Sequence, residues 1–270
     1  MHILGLQKTK NSEVLKYVDE DSFCNAAITD FSLCDEKFKG YIESSCYFSK
    51  FPRYIEEFGE PRQPKGVLER KFAEHFLSLE LGGFDGLDKD ALVIDVAASN
   101  SPFKDILTSQ GYINVFRTDL NYRTNLEAHD IGCAADEMAY FADETGSLIV
   151  SHNSVEHFEG SSDIGFLNEC SRILKSGGRV VWIPLVLTQY GVNHTDLSVW
   201  ETKYRNAPNY PKFDSRFPVQ FGSHKQRLMK FYSPKVLDSE LEKFDRMDFS
   251  IVRIDTGGRG NNFALVGEKK

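Results

Sequence analysis

Long hydrophobic runs are absent from this 270-residue chain. No stretch approaches the roughly 18 apolar residues that a membrane-spanning helix needs, which argues against a span. The opening MHILGLQKTK lacks the apolar core of a signal peptide, and a cytoplasmic protein is expected. Cysteine is scarce: Cys24, Cys34, Cys46, Cys133 and Cys170 are scattered, and none forms C-x-x-C. Neither a zinc site nor a redox pair is suggested, and the odd number favours free thiols in a reducing compartment. Basic charge is also short. The net charge of −8 argues against a nucleic-acid polymer as partner, because phosphate binding needs a basic face. Carboxylates and histidines at metal-ligand spacing are missing, so no metal is expected. What remains is 41% hydrophobic residues, ample for a core, and 21 phenylalanines that make the core or a pocket aromatic-rich.

The stretch Ala91 to Asp119 organises the chain. Ala91 to Val96 is an apolar, β-branched run of the kind a buried parallel strand uses. Ala97, Ala98, Ser99 and Asn100 follow, small or polar throughout. Ser101-Pro102 starts a helix, with Ser as N-cap and Pro at the first helical position. Phe103, Ile106 and Leu107 give that helix an apolar face, and Gly111 ends it. A second strand, Ile113 to Thr118, stops at Asp119, 24 positions after Asp95. In such a βαβ unit, small residues admit a ligand close to the backbone and the helix start offers free N–H groups. A carboxylate closing the second strand can hold two ribose hydroxyls, so the unit reads as a nucleoside half-site.

Before this unit lies a leader, residues 1–89. It holds an aromatic and basic run, SSCYFSKFPRYIEEF, and then Pro61 and Pro64. Lys65 to Glu80 reads as a helix with Val67, Leu68, Phe72, Phe76 and Leu79 on one side, ended by Gly82-Gly83. The leader is expected to be a helical cap, packed on the core or lidding the ligand site. After the unit come a weak third strand running into Asp130-Ile131, an acidic helical stretch over 136–145, and a buried strand over 147–151. A helix capped near Ser161 or Ser162 leads to the turn Lys175-Ser176-Gly177-Gly178 and a strand over 179–183. Residues 185–232 show no clear period despite many aromatics, and an insertion that is functional or partly helical is expected. A helix from Ser233-Pro234 follows. Two strands, 249–255 and 263–266, sit so close across TGGRGNN that they form an antiparallel hairpin.

With that element order the chain resembles the class I S-adenosylmethionine-dependent methyltransferases. The resemblance rests on Asp95 with the small turn Ala97, Ser99 and Ser101, on Asp119, on Asp130-Ile131, and on Val155-Glu156-His157-Phe158. Arg172, Leu174, Lys175, Gly177 and Gly178 complete it. It covers residues 90–184 closely and 233–268 by element order. It implies an α/β fold: a Rossmann-like, mostly parallel seven-stranded sheet with a C-terminal antiparallel hairpin, spanning 90–270 with an insertion at 185–232. It also implies S-adenosylmethionine as cofactor, held at Asp95, Ala97, Ser99, Ser101, Asp119, Leu120, Asp130, Ile131, His152 and Asn153. The family's three glycines after strand one are replaced here by Ala97, Ser99 and Ser101, which resist positive φ. The expectation is a turn built without positive φ, or a cofactor seated slightly further out.

Methyl transfer to oxygen needs a base for the departing proton. His157, just past strand four, stands at the edge where ligands collect, and His194 and Asp196 in the insertion are its rivals. The acidic balance and the lack of N-P-P-Y or D-P-P-Y after strand four favour a small polar acceptor over nucleic acid. The aromatic and polar insertion would suit a sugar. A nicotinamide-dependent oxidoreductase would need G-x-G-x-x-G, which is absent, and would leave the Val155–Phe158 motif without a role. A non-catalytic binding protein of the same fold draws its support from the replaced glycines. Self-association stays open.

Overall fold

The computed structural model describes residues 23–45, 65–200, 210–223, 225–255 and 263–270. The aromatic and basic run beyond Ser45, the proline pair and the TGGRGNN link lie outside them. An eight-stranded sheet forms the body, built from β1 (Ala26–Ser32), β2 (Leu92–Val96), β3 (Val115–Thr118), β4 (Asp130–Ile131), β5 (Gly146–His152) and β6 (Leu174–Ile183), with β10 (Met247–Asp255) and β11 (Phe263–Lys269). The order is β1-β10-β11-β6-β5-β2-β3-β4. Strands β2 to β6 run parallel, and β11 is antiparallel to both β10 and β6, so the expected hairpin enters the main sheet.

The eighth strand corrects the expectation of seven. β1 comes from the leader and pairs in parallel with β10. Its start is tethered by Asp238, whose carboxylate accepts the backbone N–H groups of Cys24, Asn25 and Ala26 at 2.8–3.2 Å. The leader is therefore helical only in part: α1 (Asp35–Ser45) and α2 (Lys65–Leu81) follow β1. No helix among the described residues is long and apolar enough to cross a membrane.

Strand parity assigns the two faces of the sheet, because successive side chains point to opposite sides. On β2 and β5, Val93, Leu148 and Val150 meet Phe72, Phe76 and Leu79 of α2. Phe103, Ile106 and Leu107 of α3 (Phe103–Ser109) join them. Ile94, Val96 and Ile149 face the other way, against Phe166, Leu167 and Cys170 of α4 (Ser162–Ile173). By the same period of two, Asp95 and His152 fall on the α2 face. Gly82 ends α2 where only glycine fits, since a Cβ there would lie 2.6 Å from Leu148 Cδ1 and 2.7 Å from the Ser78 carbonyl.

Two local readings are corrected. Residues 136–145 form turns instead of a helix. Arg172 donates to the carbonyls of Met138 and Phe141 at 3.1 and 2.7 Å, and Glu169 accepts from Met138 N. Those side chains of α4 take the backbone groups that a helix would have used. The insertion is structured as well: β7 (Val192–Thr195) lies between β8 (Val219–Phe221) and β9 (Met229–Phe231) in a separate three-stranded sheet. It precedes α5 (Pro234–Leu241).

Candidate active site

The turn after β2 is the first wall of the site. Ala97 and Ser99 adopt φ of 55° and 48°, so the glycine-like conformation is kept without glycine. The expectation of a turn that avoids positive φ is thus overturned, and the strain, of order 1–3 kcal/mol per residue, is held by surrounding bonds. Ser154 Oγ donates to the Ala97 carbonyl at 3.1 Å, and Ala98 N donates to the Thr118 carbonyl at 2.9 Å. Ser99 N donates to Asp119 Oδ2 at 3.1 Å, and the Tyr122 hydroxyl donates to the Ser99 carbonyl. Ser101 Oγ accepts from Phe103 N at 3.2 Å, but the N-cap position of α3 is Pro102, one residue later than the sequence suggests.

Asp119 directly follows β3, 8% exposed, and its other oxygen accepts from Asn121 N at 2.8 Å. Each oxygen then keeps a lone pair for a donor such as a ribose hydroxyl. Leu120 beside it is 49% exposed, an apolar surface for a flat base to rest on. Ile131 is buried in the core and its carbonyl accepts from Asp119 N. Asp130 behaves differently from the expectation. Oδ1 accepts from Lys104 at 2.6 Å and from Arg117 at 2.7 Å, and Oδ2 accepts from Arg117 at 3.0 Å. Burial alone would raise the Asp130 carboxyl, but the Arg117 and Lys104 hydrogen bonds outweigh it and hold the carboxyl below its usual range. Its role is to tie α3 to β3 and β4; an adenine contact competes with two cations.

The end of β5 supplies the opposite wall. His152 Nε2 lies 2.8 Å from Ser78 Oγ of α2, and its Nδ1 lies 3.4 Å from Asp95 Oδ1. Asn153, at φ 51°, donates through Nδ2 to Glu74 of α2. Glu156 is 3% exposed, and Oε2 has no hydrogen-bond partner in the described structure. Burial pushes its carboxyl up, while His157 pulls it back. His157 Nδ1 lies 2.6 Å from the Leu228 carbonyl and Nε2 lies 3.9 Å from Glu156 Oε1. A carbonyl can only accept, so Nδ1 carries the proton and Nε2 of the neutral ring is an acceptor.

The other two candidate bases sit elsewhere. His194 is 1% exposed in the middle strand of the small sheet, against Gly222, where a Cβ would fall 2.3 Å from Nε2. Asp196 caps a turn by accepting from Ser198 Oγ, Ser198 N and Lys225 N at 2.7–2.9 Å, and these bonds lower its carboxyl. The structure gathers Asp95, Ala97, Ser99, Ser101, Asp119, His152 and Asn153 around the ends of β2, β3 and β5. It leaves His194 and Asp196 to the insertion. Glu74, His75 and Ser78 were missed from the sequence. Their signal is three polar residues within AEHFLSL, on a helix buried over residues 72–79. Such residues must find partners inside.

Comparison with known proteins follows this geometry. The family described as methyltransferase domain matches residues 94–182, from β2 to β6. No curated protein matches the chain. Among solved structures, the 1,6-didemethyltoxoflavin-N1-methyltransferase of Burkholderia thailandensis, with 1,6-didemethyltoxoflavin and S-adenosylhomocysteine bound, is 13% identical. The match covers 90% of this chain and 93% of that one, with a TM-score of 0.48. The geranyl diphosphate C-methyltransferase of Streptomyces coelicolor A3(2) is also 13% identical, over 85% and 97% of the chains, with a TM-score of 0.44. These are distant likenesses, and neither acceptor is carried over.

The residues present fit S-adenosylmethionine. Asp119 keeps lone pairs for the ribose, the positive-φ turn keeps the backbone open to close approach, and both oxygens of the buried Asp95 lack a hydrogen bond in the described structure. The methyltransferase-domain match over residues 94–182 spans this site, in keeping with S-adenosylmethionine-dependent methyl transfer.

Proposed function

We propose that the acceptor is a small polar molecule methylated on a hydroxyl oxygen, with sugars and glycans the first class to test. The observation that carries this reading is the His157 tautomer fixed by the Leu228 carbonyl. An acceptor hydroxyl at Nε2 could pass its proton there, and the resulting imidazolium would face Glu156 Oε1, now 3.9 Å away. S-adenosylmethionine supplies an electrophilic methyl group on a sulfonium, so the chain's task is to place and deprotonate the acceptor. Polar side chains beyond the end of β5 support a hydroxylated ligand: Asn153 donates to Glu74, and Glu156 lies beside His157. The insertion closes this side through Leu228 and through Arg227, which donates to Glu159 at 2.7 Å. Among the three candidate bases, the reading favours His157, because Asp196 is engaged in a turn and His194 is packed within the small sheet. In this reading residues 1–89 act as a lid and residues 185–232 as the acceptor wall.

The test combines a mass-spectrometric screen with one variant. Incubation with S-adenosylmethionine and a panel of nucleotide sugars and glycans should give one acceptor that gains a methyl group. His157→Gln should lower its turnover by roughly 10²–10⁴-fold while S-adenosylhomocysteine binding stays unchanged. Transfer to nitrogen or carbon acceptors alone, or full turnover by the variant, would sink the hydroxyl reading. Cofactor binding without transfer to any acceptor would favour a non-catalytic binding protein.

A further inference from the structure

A buried chain of three side chains joins the leader to the turn after β2. Ser78 Oγ lies 2.8 Å from both the His75 carbonyl and His152 Nε2. A neutral imidazole carries one ring proton: an Nε2–H donating to Ser78 Oγ leaves Nδ1 bare, whereas a Ser78 hydroxyl donating to Nε2 leaves the proton on Nδ1. On the far side of the ring, Nδ1 faces Asp95 Oδ1 at 3.4 Å, an ion-pair distance without hydrogen-bond alignment. A bare lone pair there would repel the carboxylate in a dry environment. The tautomer with Nδ1–H, in which Ser78 Oγ donates to Nε2, makes the contact attractive. Asp95 is 1% exposed and Ser78 is 0% exposed, so water does not compete. The rings of His75 and Phe103 flank His152 at 4.6 and 5.0 Å and fix its plane. Asp95 sits at the end of β2, next to the turn that fits the cofactor, with both oxygens otherwise unbonded.

We propose that Ser78 and His152 are positioning residues: through Ser78, the leader helix orients His152, and His152 holds the Asp95 carboxylate at the floor of the cofactor site. The leader then completes that site as well as covering it. This rests on the cofactor assignment and not on the acceptor.

Calorimetry with S-adenosylhomocysteine on the full chain tests it. Ser78→Ala removes the hydroxyl partner of His152 at little cost in volume and should weaken binding about tenfold. Asp95→Asn should weaken it by about the same factor, and the double variant should be no weaker than either single. His152→Gln, which takes away the ring N–H that faces Asp95, should match Asp95→Asn. Ser239→Ala removes an exposed helix hydroxyl that bonds Val236 O, and should leave binding unchanged. Amide exchange over residues 65–81 should slow on ligand binding in the wild type and stay unchanged in Asp95→Asn. Wild-type binding by Ser78→Ala and His152→Gln, or a double variant showing the product of the single losses, would overturn the proposal. Should the wild type itself fail to bind, the cofactor assignment falls first and this inference with it.

Discussion

Asp119 and His75 illustrate how one side chain's environment fixes what it does. Asp119 holds two backbone N–H groups and keeps lone pairs outward. Asp119→Ala should weaken S-adenosylhomocysteine binding by roughly ten- to a hundredfold in calorimetry, with far-ultraviolet circular dichroism unchanged. His75 is 3% exposed, and burial, reinforced by His152 and Lys71, pushes its imidazole well below the usual histidine value of about 6.5. The unfolded chain therefore binds a proton that the folded chain refuses once the pH falls below about 6.5. Its contribution to stability is full above that value and declines below it by up to ~1.4 kcal/mol per pH unit. Urea melts between pH 7 and 5 should show a shallower loss for His75→Leu than for the wild type; equal slopes would mean that His75 titrates normally.

Among the elements, the contact of the insertion with α4 is the most charged. Lys230 on β9 is fully buried and donates to Asp163 Oδ1 at 2.8 Å and to the Gly160 carbonyl at 2.6 Å. Arg216 Nη2 donates to Asp163 Oδ2 at 2.7 Å and also meets Asp214. Asp163 lies in the first turn of α4, where negative charge suits the helix dipole. Removing one partner leaves a buried carboxylate undercompensated, so Lys230→Met should cost about 3 kcal/mol in urea unfolding at pH 7. An unchanged midpoint would show that Arg216 alone satisfies Asp163. A second element to test is the turn segment 136–145. Arg172→Ala frees the carbonyls of Met138 and Phe141, and amide exchange should quicken over that segment while the sheet strands stay protected.

At the scale of the whole molecule, the leader carries part of the core. Phe72, Phe76 and Leu79 cover Val93, Leu148 and Val150, and β1 extends the sheet beyond β10. Deleting residues 1–81 would strip that apolar face and the edge strand together. The truncated chain should fail to melt cooperatively in circular dichroism and should aggregate in size-exclusion chromatography. A soluble, cooperative 82–270 fragment would make the leader a separable lid.

The sequence by itself determined the strands and their parity. Short β-branched runs fix β2, β5 and β6, and the period of two already places Asp95 and His152 on one face. It also set Asp119 at a strand end and the final antiparallel pair. Tertiary structure decided the rest. The motif turn keeps positive φ at Ala97 and Ser99 because long-range bonds from Ser154, Thr118 and Tyr122 hold it, and no propensity encodes those. β1 carries too weak a pattern to announce itself before β10 offers an edge. The role of Ser78 depends on His152, 74 positions away. Local sequence fixes backbone period and face, whereas a buried polar group's partner is chosen by whichever element the fold packs against it.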